Sequence, residues 1–181
     1  MPTSGGGFEQ VYNAQAAVDM DTLFIMANHV SQHPNDKQEI EPALEQLRNL
    51  PKTIGTVDGL IGDTGYFSEG NVKKCEANQI TTYLASKREK HHESLRERFA
   101  PPEALPENAD VVTAMNHRLK TTEGRKLYSR RKCTVEPVFG IIKAIMGFRQ
   151  FLLRGLKAVS GEWNLVCLAW NLKRLHMLTT T

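Results

Sequence analysis

Two β-type runs open the pattern, Val11–Asp19 (VYNAQAAVD) and Leu23–Val30 (LFIMANHV). The short Met20-Asp21-Thr22 segment between them predicts an antiparallel hairpin. From Lys37 to Leu50 the spacing becomes helical, with Ile40, Leu44 and Leu47 on one face and Pro51 as the stop. Asn35-Asp36 reads as the N-cap of that helix. Thr56–Asp63 is then a short apolar strand, Thr64-Gly65-Tyr66-Phe67 a turn, Ser68–Asn78 a helix capped by Ser68, and Ile80–Ala85 a third β-type run. Strand, helix and strand in that order predict a parallel pair and an α/β layer.

The pattern breaks over about 86–122, where a charged run (KREKHHE) precedes Pro101, Pro102 and Pro106. An insertion is expected there, helical around Glu93–Phe99 and again around Val111–Leu119. His91-His92 invites a metal reading, but among so many charges it reads as solvated surface. From about Arg130 to Gly147 a helix is expected, with Val135, Val138, Phe139, Ile142 and Ile145 apolar. Pro137 fits a first turn best, which puts Glu136 at or near a helix start. A last helix, about Lys157 to Leu178, carries Trp163, Val166, Leu168, Trp170, Leu172 and Leu175, all expected to pack in the core. Residues 1–10, with Gly5-Gly6-Gly7, read as a flexible edge, and 11–178 as one domain.

A chain of 181 residues with 40% hydrophobic and 24% charged content is long enough to bury a real core. Its apolar runs are too short for a membrane span, and its first residues lack a signal-peptide core. Cys75, Cys133 and Cys167 are far apart and show no CxxC spacing; they read as reduced, mostly buried thiols of a cytosolic protein rather than zinc ligands. The net charge of +3 hides an asymmetry: residues 1–86 hold 5 Lys/Arg against 11 Asp/Glu, residues 87–181 hold 18 against 9. A basic second half suits a nucleic-acid surface, with a solvated basic face as the plainer alternative.

Candidate chemistry gathers at Glu136 and Lys143, two helical turns apart and so on one face, with Tyr128, Arg130, Arg131 and Lys132 just upstream. An acid among cations is either neutralised in a salt-bridged surface or holds a metal beside a polyanion bound by those cations. Asp63 ends a β-type run, where α/β sheets commonly place ligands, and small Thr64 and Gly65 leave it room; as a turn-former it needs no function. Together, Asp63 and Glu136 suit Mg²⁺ in phosphoryl transfer. Arg131 and Lys143 can grip phosphate oxygens, and Tyr128 can stack on a base; ordinary packing and solvated salt bridges are the plainer roles.

Tyr128, Arg131, Glu136 and Lys143 resemble the Tyr-Arg-Glu-Lys signature of bacterial insertion-sequence transposases of the DDE class. The Glu136–Lys143 interval matches; Arg131–Glu136 is one residue longer, with Lys132 the alternative. GDTGYF at 62–67 resembles the segment around the family's second catalytic aspartate. YNAQAAVD at 12–19, VEPVFG at 135–140, FRQFLLRG at 148–155 and GEWNL at 161–165 are also similar to stretches of these proteins. The resemblance implies an α/β fold of RNase H-like type, a mixed sheet flanked by helices. It also implies Mg²⁺- or Mn²⁺-dependent strand cleavage and transfer at the ends of a mobile element. Asp63 and Glu136 carry over as catalytic metal ligands; Tyr128, Arg131 (or Lys132) and Lys143 carry over as DNA-binding residues.

The implied partners are DNA element ends and a possible homodimer in the DNA complex, with no membrane or small-molecule substrate. The implied location is the bacterial cytoplasm, on the nucleoid when DNA is bound. The family's first catalytic aspartate belongs upstream of Tyr12, so an N-terminally truncated fold with impaired activity is expected, Asp19 and Asp21 not replacing it. A non-catalytic DNA-binding remnant and an unrelated metal-dependent nuclease are the alternatives.

Overall fold

The computed structural model describes residues 11–87, 100 and 104–180, and resolves into two compact units. The first comprises Met1–Asn49 with Lys132–Thr181; the second is Leu50–Arg131. The architecture is mixed α/β, with small sheets and several helices. The strands pair two by two, one sheet antiparallel and one parallel.

In the first unit, β1 (Asn13–Val18) and β2 (Ile25–Ser31) form the expected hairpin, in register from Asn13↔Ser31 to Ala17↔Ala27, with an irregularity before Val18↔Ile25. Asp19 builds the connection. Its carboxylate accepts from the backbone N–H of Thr22 at 2.7 Å and the Thr22 hydroxyl at 2.5 Å, and Leu23 adopts φ +61° to complete the loop.

A helix of 24 residues, Leu156–Thr179, packs along the hairpin and buries Val159, Trp163, Cys167 and Trp170. Spacings of four, four and three keep these four on one side. They join Ile25, Val30, Val138 and Ile142 in one core, and each large side chain so buried contributes roughly 1.5–3 kcal/mol. The helix also reaches the backbone of the hairpin and its turn. Trp163 Nε1 donates to Gln15 O at 2.9 Å, Trp170 Nε1 to Leu23 O at 2.8 Å, and the Arg174 guanidinium to Thr22 O at 2.6 Å.

The 37–50 segment departs from the single capped helix expected of it. Asp36–Gln38 is a 3-10 turn and α1 runs Ile40–Arg48, burying Ile40 and Leu44. Asn35 makes no side-chain cap bond. The Asp36 carboxylate instead accepts from Asn13 Nδ2 (2.9 Å) and Gln15 Nε2 (2.8 Å), tying this segment to β1. Glu39 is only 1% exposed, between the Ser31 hydroxyl (2.7 Å), His29 Nε2 (2.6 Å) and His33 Nδ1 (2.8 Å). Burial pushes its carboxyl up, but the bonds from Ser31, His29 and His33 outweigh that and hold it below the usual range.

The second unit carries β3 (Gly59–Gly62), α2 (Glu69–Ala77) and β4 (Thr81–Leu84), the strands parallel with Gly59 opposite Thr81 and Gly62 opposite Leu84. Ser68 caps α2 as expected, accepting from Asn71 N at 3.1 Å. Val111–Lys120 (α3) is helical where a helix was expected, capped by Asp110 accepting from Thr113 N, and its Met115 is buried with Val72, Cys75, Ile80 and Leu84. The Arg118 guanidinium donates to Thr82 O at 2.9 Å. Thr121 caps α4 (Thr122–Ser129) by accepting from Gly124 N. A Cβ at Gly124 would lie 1.9 Å from Arg118 O, so only glycine fits this helix–helix corner. The helix expected at 93–99, and His91-His92, lie outside the described residues.

The expected 130–147 helix is two pieces, a 3-10 turn at Arg130–Cys133 and α5 (Val135–Ala144), which meet at Thr134 with φ −118° and ψ −83°. Pro137 explains the break: its ring excludes a helical carbonyl four residues earlier, so the α-helix begins where Pro137 falls in the first turn. Ile145 is 71% exposed rather than core, because α5 ends at Ala144 and Gly147 turns the chain away at φ +76°. Leu156–Thr179 is α6, as expected from the pattern. Its Leu168, Leu172 and Leu175, however, are exposed rather than buried, since 100° per residue puts them opposite Trp163 and Trp170. Cys75 and Cys167 are buried, Cys133 is exposed, and all three are free thiols. Among the described residues no helix is long and apolar enough to cross a membrane.

Candidate metal and nucleic-acid site

In the second unit, Asp63 follows the last residue of β3 and caps the 3-10 turn Thr64–Tyr66, its Oδ1 accepting from Gly65 N at 2.8 Å. The side chain is exposed. The loop is held from both ends. Gly62 packs so close that an added Cβ would meet Leu84 Cδ2 at 2.8 Å and Tyr66 at 3.2 Å. Buried Asn71 reaches back from α2 to donate to Tyr66 O at 2.8 Å. Sequence reasoning passed over Asn71; its signal was a polar residue on the helical face that also holds Val72 and Cys75. A carboxylate at a fixed strand end, with one oxygen taking a backbone N–H, is a suitable hard-oxygen donor for a divalent cation.

Tyr128 and Arg131 meet in the same unit. The guanidinium carbon lies 5.6 Å from the Tyr128 ring centroid, within cation–π range, and both side chains are partly buried. The ring face that base stacking would use is thus shared with an arginine.

In the first unit, Glu136 is the second residue of α5 and Lys143 lies in its last turn; both are exposed. Seven residues separate them, roughly 10 Å along one helix face. An acid in the first turn and a base in the last both suit the helix dipole, so this placement alone carries no catalytic meaning. Lys132 is exposed, as are Arg149, Arg154 and Lys157 of this unit.

The structure therefore joins Tyr128 with Arg131 and aligns Glu136 with Lys143. Asp63 and Glu136 belong to different units, and each is described in its own. Among the described residues no three His, Cys, Asp or Glu side chains form a group that could hold a metal ion. Asp19 has its Oδ2 engaged by Thr22 and Asp21 in the hairpin turn.

No curated protein matches the chain, and no solved structure does. Residues 2–172 match the family described as the transposase DDE domain, whose members generally depend on divalent metal and act on DNA. With that match spanning nearly the whole sequence, and covering Asp63, Tyr128, Glu136 and Lys143, the chain belongs to the DDE-domain transposases.

Proposed function

We propose that this chain cleaves and transfers DNA strands at the ends of an insertion sequence, in an RNase H-like fold of the Tyr-Arg-Glu-Lys type. The transposase match over residues 2–172 carries this reading, and the anchored, exposed Asp63 at the end of β3 supports it. Asp63 and Glu136 are assigned as catalytic ligands of Mg²⁺ or Mn²⁺. Bound there, the ion supplies Lewis-acid stabilisation of phosphoryl oxygens. Lys143 and Lys132 pair with phosphates as point charges, and Arg131, oriented by Tyr128, offers a guanidinium fork. Water attacks phosphorus and the P–O3′ bond breaks, leaving a 3′-hydroxyl; that hydroxyl then attacks a phosphodiester of the target strand and displaces its 3′-oxygen. The complex acts as a homodimer on DNA.

Only two of the three acids of a DDE site are assigned on this chain, so weak cleavage is expected of it. The carboxylate of Asp19, engaged by its turn, favours that outcome. The second reading is a DNA-binding remnant that uses the basic second half, a reading the 18-against-9 excess of Lys/Arg supports.

Nicking of supercoiled plasmid in Mn²⁺ tests the two, with Asp63→Ala and Glu136→Ala beside the parent chain. Activity lost in both variants supports the catalytic assignment. Salt-sensitive DNA binding without nicking in any chain supports the remnant, and nicking retained by both variants removes these acids from the site.

A further inference from the structure

The outer surface of α6 is unusual for a solvent-facing helix. Leu165, Leu168, Leu172 and Leu175 are 67, 54, 58 and 49% exposed. Their spacings of three, four and three match the seam of a helix pair. At 100° per residue this row lies opposite Val159, Trp163, Cys167 and Trp170, which face the core. The helix is thus apolar on both sides, a pattern that belongs to helices covered on both sides.

The four leucines leave on the order of 400–500 Å² of apolar surface open, within the range of the largest patch on a monomer, which is often functional. Beside them lies a groove of about 330 Å³ lined by Met146, Phe148, Leu165, Val166 and Ala169. Glu162 also lines it, but its carboxylate accepts from the backbone N–H groups of Leu152 and Leu153. Exposed Leu152, whose N–H donates to Glu162 of the groove, adds apolar surface beside it; a standard interface buries roughly 800 Å² per partner.

We infer that this face of α6 is where two copies of the chain associate, the helices running antiparallel about a two-fold axis. From Ala158 through Gly161 to Leu175 the outward row carries no charge, so a copy of itself meets no like-charge repulsion, while a phosphate backbone finds no cation there. Antiparallel pairing sets Leu165 opposite the partner's Leu175 and Leu168 opposite the partner's Leu172. Small Gly161 then lies near the partner's Thr179 and permits close approach. Lys157 is exposed at the helix N-terminus, where its own dipole disfavours it. In the pair it reaches the C-terminal end of the partner helix, where the dipole favours a cation. The ridge of leucines beside a groove is a self-complementary shape, as an isologous interface requires.

Sedimentation equilibrium of the purified chain without DNA tests this, and its failure leaves the transposase reading untouched. The parent chain is expected to be a dimer in the micromolar range, and the double variant Leu168→Glu/Leu172→Glu a monomer with an unchanged circular dichroism spectrum. A parent chain that stays monomeric, or a double variant that dimerises equally well, overturns the proposal. Should the double variant lose its fold, cross-linking decides. In a Cys133→Ser background, Leu165→Cys and Leu175→Cys chains are expected to oxidise to a mixed disulfide dimer. Absence of that species, or only like-with-like cross-links, refutes the antiparallel pair.

Discussion

Asn171 binds both backbone groups of Ile25: its Oδ1 accepts from Ile25 N at 2.8 Å and its Nδ2 donates to Ile25 O at 2.9 Å. A side-chain amide here takes the place of a neighbouring strand at the irregular start of β2. Gln46 repeats the device at Asn28, accepting from its N–H at 2.9 Å and donating to its carbonyl at 2.7 Å. Two amides, one from α1 and one from α6, so close backbone groups that an edge strand otherwise leaves open.

Asn171→Ala strips both partners from Ile25 at once. The expected loss is about 2–4 kcal/mol, two unsatisfied backbone groups at roughly 1–3 kcal/mol each with some relief from water. Urea unfolding followed by tryptophan fluorescence reads it, since Trp163 and Trp170 lie in the same core. A change under about half a kcal/mol, within the range of ordinary surface substitutions, would remove the amide from the account of this edge.

Glu39 gives the first unit an acid limb. Its folded carboxyl is held below the ordinary value of 4.5, so its contribution is fully present above that value and is lost as pH falls through the folded value. Stability of the parent chain is therefore expected to drop on acidification below about pH 4.5 more steeply than that of Glu39→Gln. At neutral pH the same variant, with His29, His33 and Ser31 facing an amide, should be less stable by roughly 3 kcal/mol, the scale of breaking a buried charged network. Parallel acid limbs in the two proteins would contradict this.

Gly124→Ala is expected to disrupt the corner between α3 and α4, because the new methyl would overlap the Arg118 carbonyl. Relief requires backbone movement, at a cost of about 1–3 kcal/mol or more. The exposed control Gly140→Ala, with nothing within 4 Å of its Cβ, should be neutral or slightly stabilising. Thermal melts of the two variants separate close approach from general glycine effects.

Thiol reactivity should be confined to one cysteine. Burial pushes Cys167 up to about 12, Cys75 is buried, and Cys133 is exposed. A chromogenic disulfide at pH 8 is expected to titrate one thiol quickly and the other two only on unfolding. Cys133→Ser should abolish the fast phase; a second fast thiol would show that one of the two cores opens readily.

The elements were legible wherever local signals were strong. Ser68 announces its helix by capping, Pro51 ends one, and the 57–84 stretch reads as strand, helix and parallel strand. Asp63 was legible because a strand end and a small-residue turn leave few other places for it. Position 35–36 misled, since an Asx pair before a helix has the same local chemistry whether it caps the helix or clamps a strand 21 residues away.

By itself, the sequence determined the hairpin, the strand–helix–strand of the second unit and the last helix, the family, and the residues offered for metal and phosphate. These depend on periodicity, caps and motif spacing, which are properties of short windows. Tertiary structure decided that Glu39 is buried among histidines and which leucines of α6 face outward. Those outcomes depend on what packs against each face, and an apolar stripe looks the same in sequence whether a core or solvent lies over it.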